Sequence, residues 1–211
     1  MRNAMRTIVR IYFFGFLLVV TAGAQNRLRT EPAPAATGPD YDVSFGYTNF
    51  AMAIPGAGRV NLNGLDMSGT IDFNPRWGTT IDSTYVRTSD VLGTPHSGYV
   101  LTFLGGPVFY PVERRNIRVF VHTLAGRGVV DGAATLNGTN YRYGWSERFA
   151  YAIGGGVESS LPGPFSVRVG GDYLHTSFFD FAGAVLPQNN FRATVSLVFH
   201  LNQRQHRVVL R

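Results

Sequence analysis

The stretch Leu65-Asp66-Met67-Ser68-Gly69-Thr70-Ile71-Asp72-Phe73-Asn74 decides the fold. Its odd positions are apolar or glycine, and its even positions are Asp, Ser, Thr or Asn, so the period is two rather than 3.6. Successive side chains of a strand point to opposite faces, which gives this segment one apolar wall and one polar wall. The last such stretch sets Phe191, Ala193, Val195, Leu197, Phe199 and Leu201 against Arg192, Thr194, Ser196, Val198 and His200. The first sets Tyr41, Val43, Phe45 and Tyr47 against Asp42, Ser44, Gly46 and Thr48. Five more segments alternate, starting near Trp77, Tyr99, Val119, Phe149 and Phe165; the one from Tyr99 is apolar on both faces. The reading is eight strands of roughly ten residues each.

The joins add independent information. Those after even strands are short (74–76, 111–116, 159–164), and those after odd strands are long (51–61, 88–97, 131–147, 177–188). Short turns at one end and long loops at the other are the asymmetry of an outer-membrane barrel. Closing an antiparallel meander leaves no edge, so every backbone amide is satisfied even in lipid. The predicted fold is all-β: an eight-stranded antiparallel up-and-down transmembrane barrel over 41–201.

Composition agrees. Of 211 residues only 15% are charged, where a soluble domain has about 25%, and 13% are aromatic. The chain has no cysteine, which excludes disulfide scaffolds, thiolate zinc sites and cysteine nucleophiles. His96, His122, His175, His200 and His206 lack metal-site spacing, so neither a metal nor any other cofactor is expected. A mean hydropathy near zero excludes a polytopic helical membrane protein.

The chain opens with Arg2, Arg6 and Arg10, then the apolar run Ile11 to Val20, then Ala22-Gly23-Ala24. A basic start, a short apolar run and a small-x-small end predict a signal peptide over 1–24. Ten residues rise about 15 Å as a helix, half of a bilayer, which argues against an anchor. A Pro/Ala-rich linker is expected over 25–40 and a tail over 202–211. Without the first 24 residues the net charge falls from +6 to +3, too mild to argue for nucleic acid.

Alternation does not say which way the apolar face points. A soluble, lipocalin-like barrel would turn it inward around a small apolar ligand. Size argues for lipid: that face carries fourteen aromatics, and an eight-stranded barrel has room inside only for ordinary side chains. Tyr41, Phe45, Phe73, Trp77, Tyr85, Phe165, Tyr173, Phe191 and Phe199 are therefore expected to face lipid, several as interfacial girdles. The opposite face carries Asp66, Asp72, Asp82, Arg118, Arg148, Glu158, Arg168, Asp172 and Arg192. Four Arg against five carboxylates predict a plugged, charge-paired lumen, because an unpaired buried charge is costly. His122 and His200 are expected as hydrogen-bonding residues of the same lumen.

Five stretches carry a family resemblance: Phe103-Leu104-Gly105-Gly106-Pro107, 120–126, 149–157, Arg168 with 172–176, and Gln188 to Arg192. Together they resemble the small OmpA/opacity-like outer-membrane barrel family. The resemblance spans 41–201 and implies an eight-stranded barrel in the outer membrane of a Gram-negative bacterium, with no common catalytic activity. That family includes adhesins and barrels that anchor the envelope. Its barrels usually end on an aromatic that the assembly machinery reads; here ten residues follow Leu201, which leaves Phe199 or Leu201 as an internal signal.

Two motifs suggest chemistry. Gly154-Gly155-Gly156 lacks the following helix that a phosphate-cradling loop needs. His175, Thr176 and Ser177 with Glu158 or Asp172 suggest the Ser-His-acid site of a lipid A-modifying enzyme, but alternation sets Asp172 on the face opposite His175. No enzyme is expected. The segment 131–147 offers Tyr141, Arg142, Tyr143 and Trp145, residue types enriched in binding hot spots, although rim aromatics also pack locally or sit among headgroups. The expected partners are outer-membrane lipid, the export and barrel-assembly machinery and an extracellular surface partner. No nucleic acid is expected, and the chain is expected to act as a monomer with a structural or adhesive role.

Overall fold

The computed structural model describes residues 39–56, 58–93, 97–114, 116–136, 139–142, 146–178 and 186–201. The expected signal peptide (1–24), nearly all of the expected linker (25–40) and the expected tail (202–211) lie outside them. The strands are β1 (Asp40–Ile54), β2 (Gly58–Asn74), β3 (Trp77–Thr88), β4 (Gly98–Arg114), β5 (Ile117–Leu136), β6 (Thr139–Arg142), β7 (Ser146–Ser160), β8 (Phe165–Thr176) and β9 (Gln188–His200). All pairs are antiparallel, β4 pairs with β5, and β1 pairs with β9, so the sheet closes into an eight-stranded barrel. The short β6 folds back on the far end of β5 as an extra ribbon.

The register fixes the barrel's shape. Asp40 pairs with Asp72, then Gly78, Val108, His122, Gly154, Asp172 and Arg192 follow strand by strand. Arg192 pairs with Phe50, ten residues along β1 from the starting Asp40. With ~3.3 Å per residue and ~4.7 Å between strands, that stagger tilts the strands by about 40°.

The short joins are tight. Pro75 and Arg76 link β2 to β3, with Asn74 Oδ1 accepting the amides of Arg76 (2.9 Å) and Trp77 (3.0 Å). The strands are longer than the ten residues expected, from 12 residues in β3 to 20 in β5, whose last four pair with β6 and not with the barrel wall. The expected loop 51–61 is corrected most: β1 and β2 stay paired up to Ile54 and Gly58. The expected loop 131–147 is largely replaced by the end of β5 and by β6, and the expected join 111–116 by the run of β4 to Arg114 through a bulge between Phe109 and Val112.

Burial explains the added length. Along the wall from Tyr41 to Tyr47, Leu65 to Phe73 and Phe191 to Phe199, the outward residues are apolar; Phe149 is 66% exposed, and Phe45, Trp77, Ile81 and Val195 are all exposed. Beyond this belt, toward the long-loop end, the alternation continues with its polarity reversed. Arg59, Asn61, Asn63, Arg87, Arg127, Glu147 and Asn189 face outward and exposed. Phe50, Met52, Val60, Leu62, Val86, Val100, Leu124, Ala150, Ala152 and Leu174 face inward as one apolar cluster. The barrel therefore has two storeys of opposite polarity. A wall with a dry core and a polar exterior is stable in water, so the strands continue past the apolar belt.

Candidate functional site

The lumen behind the apolar belt holds two ion networks. In the first, Arg192 is buried with three carboxylates around it: Nη2 lies 2.6 Å from Asp172 Oδ2, and Nη1 lies 2.5 Å from Asp82 Oδ1 and 3.5 Å from Asp66 Oδ2. Arg192 Nη1 also reaches Thr84 Oγ1 at 2.5 Å, and Thr84 donates to Asp66 Oδ2 at 2.8 Å. The second oxygen of Asp172 bonds His122 Nε2 at 2.7 Å. Gly154, the register partner of Asp172, makes this possible, because a Cβ there would run into Asp172 Oδ1. Gly154 thus makes space for a buried carboxylate, while a Cβ on Gly155 or Gly156 would run into the backbone of the neighbouring strands; the stretch lies within β7 and is no phosphate loop.

The second network lies nearer the short-turn end. Arg118 Nη1 is 2.8 Å from Asp72 Oδ2 and 4.0 Å from Asp42 Oδ2, and its guanidinium lies 3.3 Å over the Tyr110 ring. His200 Nδ1 bonds Asp42 Oδ1 at 2.6 Å, while its Nε2 is 2.8 Å from Ser166 Oγ and 3.5 Å from Glu158 Oε1. Arg168 grips Glu158 Oε2 with Nε at 2.9 Å and Nη2 at 2.7 Å. A polar cavity of about 40 Å³, lined among others by Ser44, Ser68, Asp82, Tyr110, His122 and Arg168, touches both networks. It has room for about two waters. Two-pronged and multiply bonded pairs of this kind hold a lumen rigid.

All nine polar residues singled out from the sequence sit on the inner face. Arg148 lies on that face ten residues from Glu158 along β7, toward the long-loop end, beside Gly128. Asp42 was missed, although it shares the same alternating face of β1. The nine girdle aromatics all point outward, and five ring pairs are in contact around the belt: Tyr151 stacks on His175, Trp77–Phe109, Tyr85–Tyr99 and Phe165–Phe199 are tilted, and Tyr173 meets Phe191 edge-on. Tyr141 and Arg142 fall in β6, and Tyr143 and Trp145 lie outside the described residues.

The Ser-His-acid arrangement is not assembled. His175 faces outward, stacked on Tyr151 at 4.9 Å, whereas Asp172 and Glu158 face inward and are engaged by Arg192, His122 and Arg168. Sequence reasoning also missed Phe178, which follows β8 and is 1% exposed. It seals the apolar storey: its ring tip lies 2.9 Å from where a Cβ on Gly128 would stand, next to Ala150. Leu186 N donates to Phe178 O at 3.1 Å and fixes the base of this loop.

No protein-family model and no curated protein matches the chain. Solved structures do. The attachment invasion locus protein Ail of Yersinia pestis aligns over 77% of this chain and 99% of its own, with 16% identity and a TM-score of 0.55. The same protein in complex with the heparin analogue sucrose octasulfate gives a TM-score of 0.54 at 14% identity, over 77% of this chain and 99% of that one. Neisserial surface protein A aligns over 77% of this chain and 98% of its own, with 9% identity and a TM-score of 0.57. At these identities the likeness is one of fold: the chain has the architecture of the eight-stranded outer-membrane barrels.

Proposed function

We propose that the chain is an integral outer-membrane β-barrel of a Gram-negative bacterium, delivered by export and barrel assembly. Its lumen is closed, and its long-loop end serves attachment or surface recognition. The observation that carries this reading is the coincidence of two reversals. Where the outer face is apolar the lumen is ion-paired, and where the outer face turns polar the lumen turns apolar. Only a wall that passes from lipid into water needs both. A lipocalin-like barrel fits poorly, because Phe45, Phe73, Trp77 and Phe149 would stand in water and the inner apolar storey is filled by side chains.

The recognition element is the β5–β6 ribbon. Beyond Gly132 it leaves the barrel wall, and β6 has no further neighbour among the described residues. A ribbon with an unpaired edge is a template for strand addition by a partner. Its sequence from Ala133 to Arg142 carries no Lys, Pro or acidic residue to block such pairing. The attachment role named for Ail supports this reading.

Membrane fractionation tests the first half: the protein should require detergent and migrate differently before and after boiling. Recovery in a soluble, detergent-free fraction overturns the assignment. For the second half, cells displaying the chain with 133–142 replaced by a two-residue turn should lose adherence to surfaces that bind cells displaying the intact chain. Retained adherence would assign recognition elsewhere.

A further inference from the structure

We propose that Arg59, His175 and Asn189 form a site for the phosphate group of an outer-leaflet glycolipid. Tyr151 pairs with His175 and His175 with Asn189, so three adjacent strands present these side chains outward in one row. Arg59 faces outward on β2, paired with Ala53 on the intervening strand β1. One outward step nearer the belt lies the row Ile153, Tyr173, Phe191 and Ala51. The patch therefore stands at the upper edge of the apolar belt, at the height of lipid headgroups.

Its chemistry is that of an anion site. Asn189 Oδ1 accepts Tyr173 Oη–H at 2.6 Å and lies 3.1 Å from His175 Nδ1, which leaves the Asn189 amide protons directed elsewhere. His175 is held by its stack on Tyr151, with ring planes 22° apart. Arg59 reaches past the small side chains of Ala51 and Ala53 and lays its guanidinium 5.0 Å over the Phe191 ring. Among the described residues, Arg59 has no carboxylate partner, whereas the comparably placed Arg127 is paired with Glu147 at 2.6 Å. A guanidinium backed by an aromatic face keeps its N–H edge for one ligand, and that edge matches phosphate oxygens. The belt directly below is apolar, which selects a phosphate carried on acyl chains over a free anion.

This site rests on the outer-membrane reading, and the test separates the two. The full chain, folded in detergent, is incubated with lipid A bearing its phosphates or with dephosphorylated lipid A, and retained lipid is counted by native mass spectrometry. The phosphorylated form should be retained about tenfold better, the loss of one charged hydrogen-bond set. Arg59→Ala and Asn189→Asp should both abolish that preference, while Arg127→Ala keeps it. The heat-dependent gel shift verifies that each variant is folded. Equal retention of both lipids, an unchanged Arg59→Ala, or displacement by millimolar inorganic phosphate overturns the proposal. A barrel that fractionates with membranes and shows any of these results leaves the outer-membrane reading standing.

Discussion

Arg192 and Asp172 are register partners across the β8–β9 seam, and Arg192 grips a single oxygen of Asp172 with Nε at 2.7 Å and Nη2 at 2.6 Å. The other oxygen is left for His122, and the remaining Nη1 for Asp82 and Asp66. One guanidinium thus ties β9 to β2, β3 and β8 across the lumen.

Removing it strands three buried carboxylates. Arg192→Ala should therefore lose about 3–5 kcal/mol of unfolding free energy, measured by urea titration in lipid vesicles. The exposed pair Arg127–Glu147 sets the comparison: Arg127→Ala should change stability by less than about 1 kcal/mol. Similar losses in the two variants would show that the lumen network does not hold the barrel together.

Phe178 fills a socket that small residues leave open in the apolar storey. Phe178→Ala should cost about 3–5 kcal/mol in the same titration, as other truncations of buried aromatics do. Gly128→Val should be destabilising as well, because it occupies the ring's place. A neutral Phe178→Ala would mean that the seal is made by the remaining cluster alone.

Among the described residues two obstructions lie in series along the lumen, the ion networks and the apolar cluster, and both are expected to act as seals. In planar bilayers the purified protein should show little or no conductance. Large, steady channels would contradict both seals.

Val195 and Thr194 are neighbours on opposite faces of β9. Val195→Arg places a cation on the apolar belt and should cost about 2–4 kcal/mol, blocking assembly into membranes. Thr194→Arg points inward and should assemble better. Equal tolerance of the two would contradict this assignment of faces, and the reverse order would mean that the register of β9 is displaced by one residue.

The faces of the strands were legible because a period of two leaves no third choice once one face is apolar. Their ends were not, because the apolar residues at odd positions cease before the strands do. The signal was nevertheless present: in Asn49-Phe50-Ala51-Met52 and Val60-Asn61-Leu62-Asn63 the apolar residues move to even positions while the alternation itself continues. A reversal of phase inside an unbroken period of two marks the height at which the wall leaves lipid. Asp42 was legible by the same rule. Phe178 was not, since nothing local distinguishes an aromatic that closes a lumen from one in a loop. The pairing of Arg192 with Asp66 and Asp82 was equally hidden, because those contacts cross the barrel rather than follow the chain.

The absence of cysteine makes the most direct test clean, since one introduced cysteine is the only labelling site. Nitroxide labels at Val195→Cys, Ser196→Cys and Asn63→Cys, in the chain folded into vesicles, report access to lipid-soluble oxygen and to a water-soluble nickel chelate. The lipid-facing wall should give oxygen access at 195, the buried inner face protection from both reagents at 196, and the polar exterior nickel access at 63. Nickel access at 195 would contradict a barrel that wears its apolar face toward lipid.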